Sequence, residues 1–178
     1  MIAKLKIRTE TEEDRTRVER LIKDSFKDLD FSDGREQDLV RSLRSTVNFI
    51  PELSLVGQID EKIVGYLLMT SVKIRFAEGW QPSLALAPMA VEPSFQGKGI
   101  GSALIKTAHE KARKIGYPSA VVVGHKDYYP RFGYQPLQNY KIRVPFEVPP
   151  ENCFLIHLRK ECRLHTDGHV EYSDAFLG

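Results

Sequence analysis

Two periods divide the chain. Lys4, Leu5, Lys6, Ile7 and Arg8 alternate apolar with charged and predict a first strand from Ala3 to Arg8. A helix follows: Thr11 is an N-cap residue, Glu12, Glu13 and Asp14 suit a first turn, and Val18, Leu21, Ile22, Ser25 and Phe26 recur at helical spacing. Beyond the acidic break from Asp28 to Gly34, Leu39, Val40, Leu43 and Val47 predict a second helix from about Arg35 to Ser45, after which Pro51 forces extension. Leu53 to Ile59 and Ile63 to Ile74 are apolar, β-rich runs joined by Asp60-Glu61-Lys62, the pattern of a hairpin, and Pro82 to Val91 supplies a further strand. Ile100, Ala103, Leu104, Ala108, Ala112 and Ile115 trace one helix face that Gly116 ends. Ala120 to Gly124 reads as a buried strand. Lys141 to Val148 and Asn152 to Arg163 alternate like strands around a Pro149-Pro150 turn. The order is β-α-α-β-β-β-α-β, then a short helical turn and more strands. Without repeats, low-complexity tracts or a linker, this predicts one domain over residues 1–178.

The strand ending at Val91 passes into the helix from Ile100 through Glu92-Pro93-Ser94-Phe95-Gln96-Gly97-Lys98-Gly99. Glycines at 97, 99 and 101 let a bulky anion approach backbone N–H groups, and the helix onset adds unpaired donors and the positive end of the macrodipole. A P-loop requires Gly, four residues, then Gly-Lys-Ser/Thr, and no such run is present. The evenly alternating glycines also miss the Gly-x-Gly-x-x-Gly of a dinucleotide fold.

Gln96-x-x-Gly99-x-Gly101, preceded by Val-Glu-Pro and followed by an amphipathic helix, resembles the acetyl-CoA-binding motif of the GNAT superfamily of N-acetyltransferases. Downstream, Tyr128-Tyr129-Pro130-Arg131-Phe132-Gly133-Tyr134 is similar to the Leu-Tyr-x-x-x-Gly-Phe signature closing that family's cofactor half, so the resemblance spans about Leu84 to Tyr134. It implies an α/β (α+β) fold: a mixed, mostly antiparallel central sheet flanked by helices and splayed between its two central parallel strands, with pantetheine inserted in the gap. It also implies acetyl-CoA as co-substrate. Met89, Ala90 and Val91 would run beside the pantetheine, with main-chain groups of Met89 and Val91 meeting its amides. Gln96, Gly97, Lys98, Gly99, Ile100, Gly101 and Ser102 would hold the pyrophosphate. Gln96 stands where arginine is also common, and Lys98 is either a phosphate partner or a solvent-facing lysine.

The implied reaction is attack of an acceptor's primary amine on the thioester within a ternary complex, which calls for a neutral amine, a stabilised oxyanion and a proton for the leaving sulfur. Tyr129 aligns with the tyrosine many relatives use as the acid; Tyr128 is the adjacent competitor. No carboxylate lies between Leu84 and Val91, and Glu92, Asp127, Glu78, Asp28, Asp30 and Asp33 are loop charges, so no base is assigned. Asp24, Asp28, Asp30 and Asp33, interleaved with Phe26, Leu29 and Phe31, form either a cation-accepting mouth or a polar connection. The acceptor stays open between an amine-bearing small molecule and a protein. The alternative is a non-catalytic acyl-CoA sensor, which needs the cradle but not Tyr129.

A net charge of +2 with interspersed signs indicates neither a nucleic-acid nor a membrane-surface partner. No apolar run approaches the roughly 20 residues of a membrane span, and with no signal-peptide core a cytoplasmic location is expected. Cys153 and Cys162 are too few to staple the fold, consistent with a reducing compartment. Cys162, His165 and His169 are separated by a turn at Asp167-Gly168, so no metal site is expected. Homodimers occur in such folds through late strands or a sheet edge, and Tyr172 and Phe176 would cap the sheet or a neighbour.

Overall fold

The longest apolar runs lie side by side. In the computed structural model, which describes residues 4–161 and 166–178, β1 (Lys6–Thr9), β2 (Phe49–Ile59), β3 (Lys62–Phe76) and β4 (Gly79–Val91) form an antiparallel array. β5 (Ser119–Val123) joins β4 in parallel. Beyond it β6 (Gln135–Pro136) and β8 (Cys153–His157) continue the sheet in the order β1-β2-β3-β4-β5-β8-β6. β7 (Ile142–Arg143) and β9 (Gly168–Glu171) pair in parallel, and β9 lies along the far half of β3. The sheet is mixed and mostly antiparallel, as expected.

Helices cover both faces because the strand period sends alternate residues to opposite sides. Leu55 and Leu67 pack with Ile100, Leu104, Ile105, Ala108 and Ala112 of α3 (Ile100–Lys114). Val56, Tyr66 and Leu68 meet Val18, Leu21 and Ile22 of α1 (Arg15–Phe26) and Val40 and Leu43 of α2 (Glu36–Leu43). Each such aliphatic side chain, fully buried, contributes about 1.5–3 kcal/mol. Gly65 sets how closely α3 approaches: a Cβ there would lie 2.8 Å from Ile100 Cγ2 and 2.9 Å from Leu104 Cδ1. The first turn of α3 is thereby seated on β3.

Four local expectations are corrected. Thr11 heads a 3-10 turn over Glu12–Asp14, and Asp14 is the N-cap of α1; the Asp14 carboxylate accepts the Thr11 N–H (2.8 Å) and is clamped by Arg8 at 2.6 Å. The alternation from Lys141 to Val148 yields a strand of two residues, and that from Asn152 ends at His157. Gly168 opens β9, a strand the periodicity did not reveal: a side chain at Gly168 would collide with the Arg75 carbonyl, so only glycine permits the close pairing with β3. Cys162 and His165 lie outside the described residues. The tail folds back on its own sheet, with Tyr172 stacked edge-on to Phe146 (4.7 Å) and Phe176 (4.9 Å).

β4 and β5 stay paired for three residues, Leu84↔Ala120 to Leu86↔Val122, and then separate. The cause lies in β4. Between the pairs Leu67↔Met89 and Met69↔Leu86 it carries one residue more than β3, a bulge at Ala87-Pro88. Pro88 has no N–H to offer a neighbouring strand. The β4 edge from 88 to 91 is therefore left without a partner on the β5 side among the described residues.

Candidate active site

A groove of about 480 Å³ opens where β4 leaves β5. One wall is Met89 and Val91 of β4; the floor is Gln96, Gly97, Gly99, Ile100, Gly101 and Ser102; Phe95, Tyr128 and Arg131 close it. The floor is a turn that only glycine makes without strain, with φ of 73° at Gly97 and 81° at Gly99. Gly99 is also the N-cap of α3, so the unpaired N–H groups of the first helical turn face the groove. At Gly101 the reason for glycine is space, since a Cβ would sit 2.7 Å from the Tyr128 hydroxyl.

The groove thus gathers Met89, Val91, Gln96, Gly97, Gly99, Ile100, Gly101 and Ser102 from the sequence-derived set. Ala90, Lys98 and Tyr129 do not line it. Ala90 packs toward α1 on the opposite face, and the Lys98 ammonium donates to the Ser94 carbonyl (3.0 Å) and lies 4.8 Å from the Phe95 ring centre. Gln96 turns its amide to the Val91 carbonyl at 3.2 Å, which also accepts the Ser25 hydroxyl.

Tyr128 and Tyr129 begin a short 3-10 segment and part company there. Tyr128 faces the cradle. Tyr129 is 8% exposed, and its ring lies over Gly124, the residue that follows β5. It makes edge-on contacts with Tyr128 (5.3 Å) and Tyr134 (5.6 Å), and its hydroxyl has no hydrogen-bond partner among the described residues. Burial, and secondarily the neighbouring Tyr128 phenol, push the Tyr129 pKa well above the ordinary phenol value. Behind it the Tyr134 hydroxyl is paired with His109 Nε2 at 3.0 Å. Burial and nearby Arg113 lower His109 to about 4, so the ring is neutral near pH 7.

The loop carboxylates do not converge on the groove. Glu92 is held by Lys62 at 2.6 Å and accepts the Ser94 hydroxyl at 3.1 Å. Asp127 is exposed beside His125. Glu78 stands in the turn between β3 and β4. Asp24 shares an open trough with Arg17, Arg20 and Lys27 of the α1 region, while Phe31, 79% exposed, stands in the α1–α2 connection. Sequence reasoning missed three residues that shape the site. Pro88 inside a strand was the available signal for the bulge; Gly124 and Arg131 had none beyond their place beside or within the tyrosine motif.

Residues 51–136 match the family model described as an acetyltransferase (GNAT) domain. The chain is 33% identical over 147 residues to YjhQ of Escherichia coli K12, an uncharacterised N-acetyltransferase, covering 81% of each protein. It is 28% identical over 173 residues to YhbS of the same strain, also an uncharacterised N-acetyltransferase, covering 96% of this chain and 97% of YhbS. Among solved structures, YhbS in complex with CoA superposes with a TM-score of 0.86 at 23% identity, covering 100% of this chain and 94% of that one. A GNAT family acetyltransferase from Brucella melitensis in complex with acetyl-CoA gives 0.79 at 24% identity, covering 98% and 99%. These likenesses establish the same mixed sheet flanked by helices.

Proposed function

The chain belongs to the GNAT superfamily of N-acetyltransferases, and from that premise we propose that it moves an acetyl group from acetyl-CoA to a primary amine by direct attack in a ternary complex. The observation that carries this is the groove at the parting of β4 and β5, which joins an unpartnered strand edge to a cradle of backbone donors. The residues fit the co-substrate. The β4 edge would take the pantetheine amides, and the N–H groups from Gly97 to Ser102 would take the pyrophosphate. The bare Cα of Gly101 leaves room beside Tyr128. Complexes of two similar folds with acetyl-CoA and CoA agree with this reading.

In the reaction the amine nitrogen bonds to the thioester carbonyl carbon, the C–S bond breaks, and the sulfur leaves as a thiolate. Tyr129 is the acid: buried and held protonated, it offers its phenol proton to that sulfur as charge develops. Its pKa exceeds the thiol value of about 8.5, so net transfer to a free thiolate is uphill by itself. As the sulfur takes the phenol proton, the proton released by the newly bonded nitrogen returns through water to the tyrosinate, which leaves an amide, a thiol and a neutral Tyr129. The amine arrives neutral, its proton lost through water, since Glu92 is committed to Lys62. Acceptors are small amines or protein amines, and the Asp24 region tests for cationic ones.

The test is thiol release from acetyl-CoA across a panel of cationic and neutral amines, with Tyr129→Phe run in parallel. Amine-dependent release that drops about 100-fold in the variant supports the assignment. Acetyl-CoA binding with no release for any amine, protein amines included, would favour a sensor. Full turnover by Tyr129→Phe would pass the acid role to Tyr128.

A further inference from the structure

The groove presents many dipoles and little charge. Gln96 is neutral and turned to Val91, and Lys98 directs its ammonium away to Ser94 and Phe95. Of the side chains lining the groove, Arg131 alone carries charge. Its guanidinium carbon lies 4.5 Å from the centre of the Tyr128 ring and 5.5 Å from that of Phe132. Nε donates to the Tyr128 carbonyl at 3.3 Å. Neither Nη group has a hydrogen-bond partner, and no carboxylate pairs with Arg131 among the described residues. Tyr128 links the two halves of this arrangement: its hydroxyl meets the first turn of α3 at Gly101, and its ring supports the guanidinium.

A planar, permanently charged fork, stacked on an aromatic face and lacking an anion, is suited to a phosphate. Stacking holds the side chain in one arrangement before any ligand arrives, which lowers the ordering cost of binding. We propose that Arg131 binds a phosphate of CoA, supplying the fixed positive charge that Gln96 and Lys98 do not. The proposal rests on the acetyl-CoA reading above. CoA offers two sources of that chemistry, the pyrophosphate and the 3′-phosphate.

Calorimetry of wild type, Arg131→Gln and Arg131→Lys with CoA and with dephospho-CoA, at low and moderate salt, tests it. Arg131→Gln is expected to weaken CoA binding about tenfold or more, with the lysine variant between it and wild type. Its salt dependence should be shallower, since one charge contact has been removed. The KM for acetyl-CoA should rise by about the same factor as the CoA dissociation constant, as expected when a ground-state contact to the co-substrate is removed. An equal penalty with dephospho-CoA assigns the pyrophosphate; a penalty confined to CoA assigns the 3′-phosphate. Unchanged CoA affinity in Arg131→Gln overturns the proposal while leaving the acetyl-CoA reading intact. So does a loss that lysine does not relieve and salt does not modulate, which marks a packing role. Failure of wild type itself to bind CoA would overturn both.

Discussion

The Tyr129 ring lies against the bare Cα of Gly124, so close that a Cβ at Gly124 would overlap Tyr129 Cε2 and stand 3.1 Å from Cζ. The contact falls just past the end of β5, next to the point where β5 loses β4. Absence of one methyl group therefore sets where the phenol stands.

Gly124→Ala should displace the ring and lower kcat about tenfold or more, since small misplacement of a reacting group is costly. Overpacking should also cost about 1–3 kcal/mol of stability. CoA affinity, which the proposal assigns to the cradle on α3, should change little. Thiol-release kinetics beside calorimetry separate the two effects, and an unaltered kcat would mean that the ring position does not matter to the chemistry.

Tyr129 also makes a prediction about pH. Its folded pKa is raised by burial, so the proposed acid stays protonated above the usual phenol value of about 10. The kcat profile should rise as the acceptor amine deprotonates and show no descending limb between pH 7 and 10 from loss of the acid. A descending limb near pH 8 to 9 that vanished in Tyr129→Phe would contradict a buried, raised phenol.

Substituting Gly99 acts on binding through the backbone. Valine at φ of 81° is strained, and relaxing it moves the N-cap of α3. Gly99→Val is expected to weaken CoA by about tenfold or more, read by calorimetry; unchanged affinity would reject the cradle.

His109 sets a stability term. Its folded pKa, about 4, is below its unfolded value of roughly 6.5. The stability it provides is therefore complete above about pH 6.5 and declines as pH falls toward its folded value, with a limiting slope of about 1.4 kcal/mol per pH unit. His109→Gln keeps a polar group for the Tyr134 hydroxyl but removes the titration. Urea unfolding between pH 4 and 7 should show a flatter dependence for the variant than for wild type.

Much of the site was readable because its signals are local. The cradle needs glycines at φ values other residues avoid, and the face of α3 repeats every three or four residues. The tyrosine motif is contiguous. Lys98 shows the limit of that locality: its position in the turn left a phosphate partner and a solvent-facing lysine equally open, and in the fold its ammonium is drawn to Ser94 and Phe95. Spacing alone cannot give a direction to a long side chain on a non-helical turn.

What the sequence by itself determined is the order of the strands and helices through β5 and the location of the cradle, both encoded in periodicity and in residues with restricted torsions; the family was legible as a resemblance carried by the cradle and tyrosine motifs. The tertiary structure decided the rest. It trimmed Lys141–Val148 to two paired residues and made a strand of Gly168–Glu171, because both segments owe their form to partners far along the chain. It sent Tyr129 into the core and Tyr128 to the groove, and it brought Arg131 to the cradle. Each outcome depends on which surfaces meet once β4 bends away from β5, and such contacts between distant residues leave no periodic trace in the chain.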